Sequence, residues 1–122
     1  MSVTSNRPVR FVGDSREVLR ELPGEVRREI GFALERVQQG RMPQKAKPLK
    51  GIAPGVLEIV SDFKGSTFRA VYTVRFVKAV YVLHVFQKKS KRGIATPRNE
   101  IDLVRQRLAQ AIEWEGQQGE FR

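Results

Sequence analysis

The sequence predicts a single α+β domain in which an N-terminal strand and a helical hairpin pack on a small antiparallel sheet, with a C-terminal helix. Two observations lead to this prediction. Apolar residues first recur at helical spacing in two successive segments, and the period then changes to two over three segments with short turns. The 122 residues suffice for one domain and not for two. Residues 1–6 and 116–122 are expected to be flexible tails.

The first part of the chain is predicted to form a short strand and two helices. Residues alternate between apolar and polar over 8–12, which indicates the strand. A short helix follows over about 15–22, and the side chain of Asp14 or Ser15 is expected to cap it. A longer helix covers about 25–39, because its apolar residues lie at i, i+4, i+7, i+8 and i+11 and form one buried stripe.

The second part is predicted to form a meander of three strands and a last helix. Valine, phenylalanine, tyrosine and threonine dominate 56–62, 67–76 and 79–87, as is typical of strands. Their short connections imply antiparallel pairing, and we expect the helices on one face of the sheet. The proline-rich segment 41–55 is expected to be a loop. The last helix, over 97–115, carries one apolar stripe.

Composition excludes several classes of function. The sequence has 23 Lys and Arg against 13 Asp and Glu, which gives a net charge of +10 and makes a polyanion the first partner to consider. It has no cysteine and one histidine, so thiol chemistry and cysteine-ligated metals are excluded and no metal or cofactor is expected. It has no apolar run long enough to span a membrane and no signal peptide, so we expect a cytoplasmic protein without membrane contact.

The positive charge is concentrated in two segments, as on a phosphate-binding surface. Neither segment contains an acidic residue. The first comprises Arg41, Lys45, Lys47 and Lys50, and the second comprises Lys88, Lys89, Lys91, Arg92 and Arg98. The second is also compatible with a solvated charge run or a localisation signal.

Strand periodicity places Arg69 at the centre of a candidate site. Phe68 and Ala70 belong to the apolar face that should meet the helices, so Arg69 should stand on the other face. We expect it near the basic residues Lys88 and Lys89, at the end of the next strand. Pairing with Glu58 of the neighbouring strand is the alternative role for Arg69.

The remaining candidates have structural explanations of their own. His84 lies on the same predicted face as Val80, Val82 and Phe86. A single histidine in a strand is more often a structural residue than a catalytic one. Two tyrosines and the tryptophan are expected to pack in the interior rather than stack on bases; they are Tyr72, Tyr81 and Trp114. No paired carboxylates, glycine-rich phosphate loop or serine triad stands out.

Nearly the whole domain, about 7–113, contains a series of related motifs: PLKGI (48–52), VLEIV (56–60), FRAVYTV (68–74), VLHVFQKKSKRGIATP (82–97) and NEIDLVRQRL (99–108). In these motifs the chain resembles toxins of the RelE/ParE superfamily, in the HigB-like, phage-derived subgroup. The resemblance implies the RelE fold. It also implies a metal-free, ribosome-dependent cleavage of mRNA in which the RNA 2′-OH attacks the adjacent phosphate and leaves a cyclic phosphate.

The resemblance also implies roles for individual residues. Arg69 would contact the scissile phosphate, and Lys88 or Lys89 would donate a proton or stabilise the transition state. His84 belongs to the motif without a defined role. The RNA backbone would be held by the remaining basic residues, namely Lys45, Lys47, Lys50, Lys91, Arg92 and Arg98.

The chain departs from RelE on the first strand of the meander, where RelE carries lysines and this sequence has Glu58 and Ser61. Glu58 is therefore a candidate base or only the ion-pair partner of Arg69. Two other functions stay open: inhibition of DNA gyrase, as in the ParE branch, and a non-toxic nucleic-acid-binding protein of phage origin. The toxin functions imply a small helix-turn-helix antitoxin as partner, besides ribosome and mRNA.

Overall fold

The computed structural model describes residues 6–88 and 96–117, which form three helices and a five-stranded mixed sheet. The α+β prediction is confirmed, and the architecture is consistent with a RelE-like fold. The strands are β1 (Val9–Phe11), β2 (Ala46–Pro48), β3 (Val56–Phe63), β4 (Ser66–Thr73) and β5 (Val80–Lys88). The helices are α1 (Ser15–Glu21), α2 (Gly24–Gln38) and α3 (Arg98–Gln117).

The sheet has the strand order β1-β5-β4-β3-β2. The strands β3 to β5 pair in antiparallel fashion, as predicted. Strand β2 adds to β3 in antiparallel fashion, and β1 pairs with β5 in parallel, which makes the sheet mixed. The predicted loop 41–55 contains the short edge strand β2, where Lys47 lies opposite Glu58. Of the predicted tails, 1–5 and 118–122 lie outside the described residues, and α3 continues past the predicted end at 115.

The helical hairpin of α1 and α2 covers one face of the sheet. The buried stripe of α2 contains Val26, Ile30 and Val37, as its spacing predicts. It packs against strand residues of one parity, which include Ala70 and Tyr72 of β4. The parity prediction for β4 is therefore correct, and it leaves Arg69 on the opposite face.

The prediction that the helices share one face of the sheet is wrong, because α3 packs on the face opposite the hairpin. Its buried residues Val104, Leu108 and Ala111 form a second apolar cluster with Val71 and Leu83 of the sheet. Strand β5 is thus covered on both faces, which explains why it is apolar at nearly every position. No helix in the described ranges is both long enough and apolar enough to cross a membrane.

A β-bulge in β5 changes the face to which its second half points. Tyr72 of β4 lies opposite Val82 of β5. The residue before it, Val71, lies opposite His84, so Leu83 is an extra residue in β5. The prediction that His84 shares a face with Val82 is therefore wrong. The bulge turns His84 and every second residue after it toward the face of α3, where Arg69 lies.

The predicted cap of α1 is also absent. Neither Asp14 nor Ser15 bonds the first turn through its side chain; the Ser15 hydroxyl donates to the Val12 carbonyl at 2.7 Å. The Asp14 carboxylate instead accepts a hydrogen bond from Arg107 of α3 at 2.9 Å. The guanidinium of Arg107 lies against Gly13, where a φ of 61° favours glycine and a Cβ would meet the guanidinium, so this turn joins α1 to α3.

The hydrogen bond between Tyr81 and Glu115 should stabilise the packing of α3. The Tyr81 hydroxyl donates to Oε2 of Glu115 at 2.5 Å, and both residues are buried. We expect Tyr81→Phe to lower the free energy of unfolding by about 1–3 kcal/mol, because a buried carboxylate loses its donor. Urea denaturation measures this loss.

Tyr72→Phe is the matched control. Tyr72 is equally buried, burial raises the pKa of its hydroxyl to about 12, and this hydroxyl has no hydrogen-bond partner in the described part of the chain. Its removal should cost clearly less than that of the Tyr81 hydroxyl. Equal losses in the two variants would contradict a stabilising role for the bond to Glu115.

Candidate functional site

The centre of the site is a buried ion pair between Arg69 of β4 and Glu58 of β3. Arg69 lies opposite Val60 and Glu58 lies opposite Val71, so the two are diagonal neighbours on the face of α3. Nη1 of Arg69 is 2.8 Å from Oε2 of Glu58, and their side chains are 11% and 4% exposed. The predicted pairing of the two residues is present, and it holds the arginine in one orientation.

Each partner of this pair also presents a second polar atom. Oε1 of Glu58 and Nε of Arg69 are buried and have no hydrogen-bond partner among the described residues. An unsatisfied buried polar group costs about 1–3 kcal/mol, and natural proteins contain few of them. The pair therefore contains one acceptor and one donor that are shielded from solvent and that no described residue satisfies.

Two lysines complete the cluster. Nζ of Lys47, on the edge strand, is 4.0 Å from Oε2 of Glu58 and is well exposed. Lys88, the last residue of β5, is buried, and its pKa is lowered. Burial is the main cause; the positive charges of Arg69 and Lys47 act in the same direction, and Glu58 opposes them. Lys88 therefore gives up its proton more readily than an ordinary lysine.

The cluster of Arg69, Glu58, Lys47 and Lys88, here called the β4 cluster, lies past the N-terminus of α3. The first turn of α3 contacts β5 at His84, through Glu100. Lys88 follows His84 by four residues along β5, beyond the end of the helix. The chain that leads from Lys88 back to α3 contains Lys89, Lys91 and Arg92, and these predicted site residues lie outside the described residues.

The predicted RNA-binding residues do not all join the cluster. Lys47 joins it, whereas Lys45 lies on the side of the hairpin, where its Nζ is 3.0 Å from Glu29 of α2. Lys50 and Arg98 are exposed, and neither forms a hydrogen bond or ion pair with another residue of the described ranges. These two cations are accessible to a ligand but are not held in place by the protein.

His84 is the junction between β5 and α3. Its Nε2 is 2.6 Å from Oε1 of Glu100, its Nδ1 is 3.3 Å from Nη1 of Arg107, and its ring stacks on Phe86. Because arginine is always a donor, Nδ1 accepts, and the proton resides on Nε2, which donates to Glu100. Both ring nitrogens are thus occupied by side chains of α3, which suits a residue that positions the helix.

Sequence reasoning did not identify Arg107 as a component of this region. Its guanidinium bonds the Leu83 carbonyl at 3.0 Å and the Asp14 carboxylate at 2.9 Å, in addition to His84. The carbonyl of Leu83 is available because the bulge interrupts the regular ladder at this residue. The motif NEIDLVRQRL (99–108) contains Arg107, but only the position of the bulge could have indicated that this arginine bonds the Leu83 carbonyl.

The described residues contain no group of three or more histidine, cysteine, aspartate or glutamate side chains that could hold a metal ion. The reactive groups of the β4 cluster are a carboxylate, a guanidinium and two ammonium groups. Together they provide a proton acceptor, a proton donor and fixed positive charge. These are the groups that phosphoryl chemistry on an RNA strand requires.

Comparison with known families places the chain in one of them. Residues 17–109 match the family model described as phage derived protein Gp49-like (DUF891), so the chain belongs to this family. The family is related to the RelE-like toxins, which supports a toxin-antitoxin context for this phage-derived, toxin-like protein. No curated protein and no solved structure matches the chain significantly.

The lowered pKa of Lys88 predicts a pH dependence of stability. The folded chain binds this proton less tightly than the unfolded chain does, so the folded state becomes relatively more stable as the pH rises toward 10.5, the ordinary lysine value. This contribution is lost as the pH falls through the lowered pKa. In Lys88→Met it is absent at every pH.

We therefore expect the difference in unfolding free energy, wild type minus Lys88→Met, to increase from neutral pH toward 10.5. Urea denaturation over this pH range measures it. Lys50→Met, which changes an exposed lysine of a loop, is the control and should follow the wild-type curve. Parallel curves for wild type and Lys88→Met would contradict the perturbed environment of Lys88.

Proposed function

We propose that the chain is the toxin of a toxin-antitoxin pair of the HigB-like subgroup, and that it inhibits translation by cutting mRNA on the ribosome. The observation that supports this function is the β4 cluster, in which a buried carboxylate adjoins an arginine and a lysine of lowered pKa. One oxygen of this carboxylate has no hydrogen-bond partner among the described residues. A surface that only binds RNA needs exposed cations and has no use for the buried carboxylate.

In the proposed reaction, Oε1 of Glu58 removes the proton from the RNA 2′-OH. The 2′ oxygen forms a bond to phosphorus, and the bond from phosphorus to the 5′ oxygen breaks. Arg69 donates to the non-bridging oxygens, where negative charge develops. Lys88 gives its proton to the leaving 5′ oxygen. The products are a 2′,3′-cyclic phosphate and a 5′-hydroxyl, and no co-reactant is consumed.

Glu58 serves here as the base in place of the strand lysines of RelE. Its Oε2 faces Arg69 and Lys47, and Oε1 is the oxygen that is left to accept a proton. Its attachment to Arg69 keeps the acceptor and the phosphate-binding group at a fixed separation. Proximity of this kind lowers the barrier by fixing the geometry before the reaction.

The remaining basic residues hold the RNA backbone beside this cluster. Lys47, Lys50 and Arg98 are exposed for this purpose, and Lys89, Lys91 and Arg92 are proposed to take part as well. Lys45, which is paired with Glu29, has a smaller part in this proposal than the sequence suggested. His84 acts by positioning α3 and β5 rather than by touching the RNA.

The partner that the family context supports is an antitoxin, and we propose a small helix-turn-helix protein. A repressor of this class neutralises the toxin by covering the basic residues around Arg69 or by keeping the toxin from the ribosome. Either arrangement explains why a protein of charge +10 is kept with a dedicated partner rather than free among cellular nucleic acids.

Mapping of RNA 5′ ends after brief induction tests the proposed reaction. The wild type should produce new 5′-hydroxyl ends inside translated codons. Glu58→Gln, which keeps the shape and removes the base, should reduce cutting by about 10²–10⁴-fold. Arg69→Lys, which keeps the charge and loses the forked geometry, should reduce it clearly as well.

Arg36→Ala is the control, since Arg36 is exposed on α2, on the other side of the sheet. It should cut as the wild type does, and circular dichroism verifies that each variant is folded. Cutting by Glu58→Gln at the wild-type rate would refute the role of Glu58. Intact mRNA together with DNA damage signalling would refute the nuclease and favour inhibition of DNA gyrase.

A further inference from the structure

A cleft at the opposite end of β5 from the β4 cluster carries a second concentration of basic residues. It encloses about 560 Å³ between the edge strand β1, helix α1 and the last turns of α3, a size typical of ligand sites. Its basic residues are Arg10 of β1 with Arg16 and Arg20 of α1. Sequence analysis did not single out these residues, because α1 also contains two glutamates and is nearly neutral as a segment.

The three arginines have no acidic partner within residues 6–88 and 96–117. None of them forms an ion pair with a carboxylate in the described part of the chain, although Glu17 also lines the cleft. Nε of Arg10 is buried and has no hydrogen-bond partner there. Arg16 and Arg20 are exposed and one helical turn apart, so their guanidinium groups can approach one ligand together. The cleft therefore has an unneutralised positive charge and an unused donor.

The wall of the cleft is aromatic as well as basic. The guanidinium carbon of Arg10 lies 4.9 Å from the ring centroid of Trp114, the usual geometry of a cation–π contact. The indole is 39% exposed and is one of the few large apolar side chains at the surface of the described chain. The expected role of Trp114 as a packing residue explains its edge contact with Tyr81 but not this exposure.

We propose that this cleft, lined by Arg10, Arg16, Arg20 and Trp114, is a second RNA-binding site. Arginines bind the phosphates in forked geometry, and the flat surface of guanidinium and indole receives a base. A carboxylate-rich peptide would satisfy the charges but would make no use of the aromatic surface, so the composition of the cleft favours RNA.

The two sites lie at opposite ends of one strand. Arg10 is paired with Tyr81 near the start of β5, and Lys88 is its last residue. At about 3.3 Å per residue their separation along the strand is roughly 20 Å. An RNA strand in the cleft therefore cannot be the nucleotide pair that is cut. The inference rests on the proposed function in one respect, namely that a ribosome would present both RNA segments. Binding of RNA in the cleft does not itself require cleavage.

Titration with a single-stranded RNA oligonucleotide tests the proposal, with the fluorescence of Trp114 as the signal. This is the one tryptophan of the sequence, so quenching of its emission reports on the cleft. The titration uses the full chain with Glu58→Gln and contains no ribosomes, so the proposed ribosome-dependent cleavage does not consume the RNA. Binding should quench the indole emission with increasing RNA.

The variant Arg16→Gln/Arg20→Gln removes two phosphate contacts. It should decrease the slope of log K against log salt concentration by about 1.4, since each contact to single-stranded RNA contributes about 0.7. If the two proteins bind equally at 1 M salt, this corresponds at 0.1 M salt to a loss of affinity of about 25-fold. The matched control is Arg28→Gln/Arg36→Gln, which removes the same charge from exposed positions of α2 and should bind almost as the parent does.

Equal losses in the two double variants would mean that RNA binds by net charge alone, and this would overturn the proposal. Unchanged indole emission on binding would overturn it as well. If a glutamate-rich peptide quenches Trp114 and RNA does not, the cleft is a protein site. None of these outcomes affects the nuclease proposal, which depends on the cutting of mRNA by the wild type, and loss of that activity would leave the titration result intact.

Discussion

The buried ion pair between Glu58 and Arg69 is the interaction on which the candidate site depends. Such a pair contributes little net stability, because the desolvation of two charges offsets much of their attraction, and apolar side chains of similar volume stabilise a fold as well. In this sheet the pair also leaves two buried polar atoms without partners in the described chain. An arrangement that is unfavourable for stability is explained more simply by chemistry than by structure.

The pair is placed by the pleat of the sheet, and Lys88 is placed by the bulge. On β3 and β4 simple alternation is sufficient to bring Glu58 and Arg69 to one face. On β5, by contrast, uninterrupted alternation would have directed His84 and Lys88 toward the helical hairpin. The extra residue at Leu83 reverses their direction, so the even-numbered residues of β5 face the hairpin before the bulge and face α3 after it.

The sequence was sufficient to predict those features that depend on local periodicity. The helical stripe of α2, the strands of the meander and the position of Arg69 away from the hairpin all follow from spacing, and the structure has them. The pairing of Arg69 with Glu58 was one of two roles that neighbouring strands allow. The basic residues after β5 were identified by composition, but their arrangement around Arg69 is outside the described residues.

Features that depend on long-range packing could not be predicted in this way. The apolar stripe of α3 indicates a buried face but not which side of the sheet it covers, and both sides of β5 are apolar. A bulge adds one residue to a strand without changing its composition. Nothing in the local sequence therefore indicates that the residues after Leu83 change the face to which they point. Aspartate is a preferred residue at the start of a helix, but Arg107 of α3 gives the Asp14 carboxylate a stronger partner than the first turn of α1 does.

Directional contacts fix α3 on the sheet between the two basic surfaces. Arg107 is bound to Asp14, to a carbonyl of the bulge and to His84, and Glu100 is bound to His84, so the helix is fixed to β5 by directional contacts in addition to its apolar stripe. The positive charge of Arg107 is neutralised inside this network.

The two basic surfaces lie at the two ends of α3. The β4 cluster lies beyond the start of the helix, and the arginine cleft lies beside its end. A helix that slid along the sheet would break these contacts and would change both surfaces together. The length of β5 sets the separation of the two basic surfaces, and the network around His84 fixes α3 on the sheet between them.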